Sequence, residues 1–159
     1  MGRWAPTPKE EVIPELNPDI NDFLTLSYDE KLQFVNSISQ PMASRKLAKR
    51  LYKCLKLACK SKENARQGVK YVQKFLSRDE KGIVVLAGNV TPIDVYSHIP
   101  ILCEEKKVPY VFVPSKEDVG SCLGLNKAMA VVLLKRADEY GEQFDKCIAN
   151  IAEMQQVPN

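Results

Sequence analysis

Three short apolar runs constrain this chain more than any other feature. Residues 82–87 read Gly-Ile-Val-Val-Leu-Ala, residues 110–113 read Tyr-Val-Phe-Val, and residues 129–134 read Met-Ala-Val-Val-Leu-Leu. They are rich in Val and Ile, and they do not alternate apolar with polar. Strands covered on both faces have this pattern, because neither face meets water. Helix signals lie between them. Thr91-Pro92-Ile93-Asp94 offers a cap, a first-turn proline and a first-turn acid. Ser115-Lys116-Glu117-Asp118 repeats the cap-plus-acid pattern, and that helix is expected to stop near Gly124. Strands alternating with helices predict an α/β fold with helices on both faces of the sheet.

Upstream, Leu47, Leu51, Cys54, Leu55 and Ala58 recur at three- and four-residue steps and predict a helix over about 42–60. A polar link, Ser61-Lys62-Glu63-Asn64, separates it from a second helix. That helix follows Gly68 and has Val69, Val72, Phe75 and Leu76 inside. A last helix carries Phe144, Cys147, Ile148 and Ile151 on one face. Near the start, Ser27-Tyr28-Asp29-Glu30 has capping-box spacing and predicts a short helix that Pro41 closes. Residues 1–26 carry Pro6, Pro8, Pro14 and Pro18 among acidic residues, and read as an extended arm. Residues 27–159 are then a single domain, a size that supports its own core.

Composition narrows the function classes. No stretch approaches the roughly 18 apolar residues of a membrane helix, and the first residues lack a secretory pattern, so the chain reads as intracellular with no membrane partner. The five cysteines, Cys54, Cys59, Cys103, Cys122 and Cys147, are odd in number and form no CxxC, which argues against disulfides and zinc. They read as small buried hydrophobes. His98 is the only histidine, and no metal site is expected. The stretch Gly120-Ser121-Cys122-Leu123-Gly124-Leu125-Asn126-Lys127 fails the spacing of a phosphate loop. No carboxylate pair or nucleophile–base pair stands out, so the reading is of a non-enzyme with no cofactor and no small-molecule substrate. A small nucleotide-binding α/β enzyme is the alternative outside the RNA-binding class.

The net charge of +3 hides a strong segregation. Residues 44–74 hold Arg45, Lys46, Lys49, Arg50, Lys53, Lys56, Lys60, Lys62, Arg66, Lys70 and Lys74 against Glu63 alone, a surplus of ten. The flanking segments are both acidic overall. A Lys-rich helix face that is merely solvated usually carries Glu partners four residues away. Here they are missing, and the block reads as a positive surface for phosphate chains. RNA is the expected partner, since no duplex-DNA motif is present.

The residues then become recognisable. The run 103–120, Cys-Glu-Glu-Lys-Lys-Val-Pro-Tyr-Val-Phe-Val-Pro-Ser-Lys-Glu-Asp-Val-Gly, resembles the signature of the kink-turn-binding ribosomal protein family. Residues 39–47, Leu51-Tyr52-Lys53-Cys54, Gly68-Val69-Lys70, Val72-Gln73-Lys74-Phe75, the run 80–88 and Pro92-Ile93 are similar to its eukaryotic H/ACA ribonucleoprotein branch. The resemblance covers about residue 28 to the C-terminus. It implies a three-layer α-β-α sandwich around a small mixed sheet. It also implies a subunit of the box H/ACA small nucleolar particle, in the nucleus and nucleolus. That particle guides pseudouridine formation in ribosomal RNA. The implied partners are guide RNA and the other H/ACA core proteins, including the pseudouridine synthase and its small adaptor subunit.

The family reads its RNA with the start of the second helix, in a Gly-x-Asn-Glu-x-x-Lys pattern. Aligned through Gly68 and Lys74, this chain has Lys70 and Tyr71 where the pattern has Asn and Glu. A lysine cannot accept a hydrogen bond from a base edge, so it grips phosphate instead. The second implied contact is the loop before the last strand, Leu125, Asn126 and Lys127, where a lysine enters an otherwise apolar element. Arg66 and Asn89 complete the expected RNA-binding set. Arg45, Lys46, Lys49, Arg50 and Lys53 form a secondary basic surface. Both departures trade base reading for charge, so the expected binding is largely electrostatic with weak kink-turn specificity. A strict kink-turn-binding ribosomal or spliceosomal protein is the alternative within the family.

Overall fold

The computed structural model describes residues 24–36, 38–61, 63–90 and 93–156. The expected arm over residues 1–26 falls almost wholly outside them, as do Lys62, Thr91 and Pro92. In chain order the elements are α1 (Tyr28–Lys31), α2 (Arg45–Ala58), β1 (Ala65–Gln67), α3 (Val69–Ser77), β2 (Ile83–Ala87), α4 (His98–Lys106), β3 (Tyr110–Val113), α5 (Lys116–Cys122), β4 (Val131–Leu134) and α6 (Gly141–Gln156). The four strands form one mixed sheet in the order β1-β4-β2-β3. β2 pairs parallel with β3 and antiparallel with β4, and β1 pairs antiparallel with β4.

The apolar runs lie where their pattern requires, with β2 and β4 in the middle and every residue of both buried. Alternate strand residues feed two separate cores. Ile83, Val85, Val111, Val113, Val132 and Leu134 pack with α2, α5 and α6. Val84, Leu86, Phe112, Val131 and Leu133 pack with α3 and α4. This is the three-layer α-β-α sandwich. Full burial of a Val, Leu or Ile side chain contributes about 1.5–3 kcal/mol, so these strands anchor both helical layers.

The Ser27 and Ser115 caps act as their spacing implies, and Ser44, which the sequence reading did not single out, caps α2. Ser27 and Glu30 form the full capping box of α1, the Ser44 hydroxyl accepts from the Leu47 amide, and the Ser115 hydroxyl accepts from the Asp118 amide. Four of the five cysteines are buried and all five are free thiols; Cys59 is half-buried.

Three details depart from the sequence reading. Ala65-Arg66-Gln67 is a strand, in the stretch between the polar link 61–64 and Gly68 to which the sequence reading gave no element. The helix expected from Thr91 begins at His98, after a 3-10 turn over Ile93–Val95. Just before α4, the buried Tyr96 hydroxyl donates to the Ala87 carbonyl oxygen and ties this segment to β2. Pro100 then occupies the first turn of α4, where no intrahelical amide is needed. Finally, α2 and α3 lie on opposite sides of the sheet, so the basic block does not form one continuous helical face.

The segment before α2 closes the outer edge of the sheet. The Phe112 amide donates to Pro41 O at 2.8 Å, and the Ala43 amide donates to Phe112 O at 2.8 Å. The segment is tied down by Lys31, whose ammonium lies 2.9 and 2.8 Å from the two carboxylate oxygens of Asp118 on α5. Both side chains of this pair are largely out of solvent. Removing one partner of such a pair leaves an uncompensated charge. Lys31→Ala is therefore expected to lower stability by about 2–3 kcal/mol in urea denaturation. The exposed pair Arg45–Asp29 should give less than about 1 kcal/mol in the same measurement.

Candidate nucleic-acid interface

The site is built from a three-residue strand. β1 runs antiparallel to β4 and ends at Gly68, whose amide donates to Val131 O at 2.9 Å. Gly68 then starts α3, its carbonyl accepting from the Val72 amide at 3.0 Å. Its φ of 97° lies in the region that side chains with a Cβ rarely adopt, so the turn from strand to helix needs glycine there. In α3, Val72 and Leu76 face the core, and Lys70, Tyr71 and Lys74 are left exposed.

The facing loop is held by α5. A Cβ on Gly120 would lie 1.9 Å from the Lys127 carbonyl oxygen, so only glycine allows this approach. The Leu125 amide donates to Gly120 O at 2.9 Å, and the Met129 amide donates to Lys116 O at 3.0 Å. The loop between these bonds presents Asn126 and Lys127 to solvent, with Leu125 half-buried. Val131, which receives the Gly68 amide, follows this loop directly, so the start of α3 and the loop stand at the same end of the sheet.

A groove of about 550 Å³ opens beside them. It is lined by Cys59, Ala65, Arg66, Gln67, Tyr71, Phe75, Leu123 and Leu125. Cys59 caps α2 while Tyr71 and Phe75 belong to α3, so the two basic helices meet across β1 at this groove.

The expected site residues divide into two groups. Gly68, Lys70, Tyr71, Lys74, Leu125, Asn126 and Lys127 gather around the α3 start and the facing loop. Lys70, Lys74 and Lys127 make no ion pair among the described residues. Arg66 and Asn89 are engaged in the fold. The Arg66 guanidinium lies 3.8 Å from the Phe75 ring centroid and 3.4 Å from a Glu80 carboxylate oxygen, which also receives Lys135 on its other oxygen at 3.3 Å. Asn89 donates to Glu117 at 2.9 Å and accepts from the Lys116 amide at 2.8 Å, so its amide fixes the start of α5.

On the opposite layer, Lys46, Lys49, Arg50 and Lys53 of α2 are likewise without ion-pair partners among the described residues. Arg45 differs, pairing with Asp29 at 3.2 Å and lying over the Tyr28 ring. Sequence reasoning missed Gln67, Phe75 and Cys59 as groove residues. The four-residue spacing of Tyr71 and Phe75 was the available signal, since such pairs meet on a helix surface.

These features define a three-layer α-β-α protein with a largely apolar groove at one sheet edge and exposed lysines of α3 and the facing loop near it. The model of the ribosomal protein L7Ae/L30e/S12e/Gadd45 family matches residues 49–143. The chain is 47% identical over 86% of its length to an H/ACA ribonucleoprotein complex subunit 2-like protein of Xenopus tropicalis, covering 91% of that protein. It is 48% identical to H/ACA ribonucleoprotein complex subunit 2 of Pongo abelii, over 79% of this chain and 81% of that one. Among solved structures, the Giardia lamblia 15.5kD RNA binding protein shares the fold with a TM-score of 0.70 at 23% identity, over 76% of this chain and 99% of that one. The chain belongs to the ribosomal protein L7Ae/L30e/S12e/Gadd45 family.

Cys59 gives this geometry a direct readout. Burial pushes the Cys122 thiol up to about 11 and the Cys103 thiol up to about 12, and the thiolate is the reactive form. In the folded protein at pH 8, iodoacetamide is expected to modify the half-buried Cys59 about tenfold faster than Cys103 or Cys122 by peptide mass mapping. Equal labelling of Cys103 or Cys122 would contradict the packing described.

Proposed function

We propose that this chain is a non-catalytic RNA-binding subunit of a box H/ACA ribonucleoprotein, supporting guide-directed pseudouridylation and processing of ribosomal RNA in the nucleolus. The observation that carries the reading is the set of cations without ion-pair partners. In residues 44–74, Lys46, Lys49, Arg50, Lys53, Lys56, Lys70 and Lys74 lack ion pairs among the described residues. Unpaired like charges repel one another until a polyanion neutralises them. The names of the relatives supply the particle. In this reading guide RNA lies across the start of α3 and the loop carrying Lys127. The exposed face of α2 grips flanking phosphates. The pseudouridine synthase and its small adaptor are the protein partners. Residues 27–159 act as the RNA-binding domain, with the acidic arm outside it.

Lys70 and Tyr71 occupy the positions where a strict reader of kink-turns presents an amide and a carboxylate. Neither replacement accepts hydrogen bonds from purine edges in that geometry, so affinity comes from phosphate contacts. Each phosphate contact adds roughly 0.7–0.9 to the slope of log affinity against log salt. Titration of a kink-turn and a plain stem-loop across salt is expected to give affinities within about threefold of each other. The double change Lys70→Gln, Lys74→Gln should lower the salt slope by about 1–2 for both RNAs. A kink-turn preference above about 30-fold would instead make the chain a strict kink-turn reader, and absence of RNA binding would remove the reading altogether.

A further inference from the structure

We infer that the groove beside α3 is a stacking site for an unpaired RNA base, with Tyr71 as its platform. The inference rests on the RNA-binding reading above and adds the structural class of RNA that the groove selects. Tyr71 is a large aromatic residue with 60% of its surface exposed, where a packing role would bury it. Its ring lies 6.5 Å from the Phe75 ring at an interplanar angle of 19°, an offset stack. The two rings thus lie side by side in nearly parallel planes, and the exposure of Tyr71 leaves its faces open to a further ring.

Phe75 is itself braced. The Arg66 guanidinium sits 3.8 Å from its centroid, and Lys74 and Arg78 approach to 5.6 and 5.7 Å. Cations at an aromatic ring hold it by electrostatic attraction to the π-system. They also leave positive charge beside the groove, where the phosphate of a stacked nucleotide would lie. The wall opposite is apolar, formed by Leu123 and Leu125. Gln67 lines the groove too, and its side-chain amide bonds to no described residue, so it offers one donor and one acceptor to a base edge.

A paired base cannot reach such a site, because its faces are already stacked in the helix. Single-stranded segments, loops and bulges expose theirs. The groove therefore favours RNA with an unpaired nucleotide, whatever its sequence, since every base has a π-face. An apolar peptide would leave Lys74 and Arg78, which have no ion pair among the described residues, without a counter-charge.

The test uses the full chain and a 12-nucleotide single-stranded RNA carrying one central 2-aminopurine, alongside the same label in a fully paired duplex. Wild type is expected to quench the single-stranded probe on binding, since stacking quenches the fluorophore. Tyr71→Ala should abolish that quench and weaken single-strand affinity about tenfold, within the range for loss of one stacked base, while duplex affinity stays within twofold. Tyr71→Phe should behave as wild type, since the ring and not the hydroxyl is invoked. Tyr71 is exposed, and thermal melts of the variants are expected to coincide with wild type. Unchanged quench and affinity in Tyr71→Ala would overturn the inference and leave the RNA-binding reading intact. An equal loss on both probes would also overturn it, making Tyr71 a general contact. Failure of wild type to bind either RNA would overturn both.

Discussion

The pairing of β1 with β4 is the constraint on which the proposed interface depends. Three residues of strand end in a glycine whose amide reaches Val131 O, and this bond sets the start of α3 beside the loop that leads into β4. β4 is held in turn on its other side by β2, in the fully buried middle of the sheet. The surface proposed to meet RNA is thereby tied to the fully buried middle of the sheet. Loops carried by a packed scaffold keep their side chains placed without covering them.

The glycines show how little freedom the arrangement has. Gly68 supplies a backbone conformation at the strand-to-helix turn, and Gly120 supplies space where α5 meets the Lys127 carbonyl. One sets where α3 begins, and the other sets where Leu125, Asn126 and Lys127 stand. The functional cations can then be flexible lysines on a fixed frame, which suits phosphate contacts that tolerate variation in geometry.

Much of the fold is legible in the sequence because burial on both faces writes itself as continuous Val, Ile and Leu. Residues 83–87, 110–113 and 131–134 are strands for that reason, and the Ser27 and Ser115 caps work as read. β1 was illegible because Ala-Arg-Gln carries no strand pattern; its strand character comes from β4 alongside it. The helix start at His98 was not legible, because the 3-10 turn over Ile93–Val95 and the buried bond from Tyr96 to Ala87 that precede it depend on contacts with β2 that local spacing does not reveal. For the candidate site, the sequence pointed to the start of α3 and the Lys127 loop through the family resemblance, and to α2 and α3 through charge. It could not reveal that Arg66 is occupied by Phe75 and Glu80, that Asn89 is spent on α5, or that α2 lies across the sheet from α3. Those facts depend on pairings distant in sequence.

The central claim is that RNA meets this protein at the end of the sheet where α3 begins. Amide chemical-shift mapping during titration with a short stem-loop RNA tests it most directly. The account predicts the largest shifts at residues 68–74 and 125–127, with a second, weaker set along the exposed face of α2. Residues 101–106 of α4 should remain unperturbed. Shifts concentrated on α4, with residues 68–74 unmoved, would contradict it.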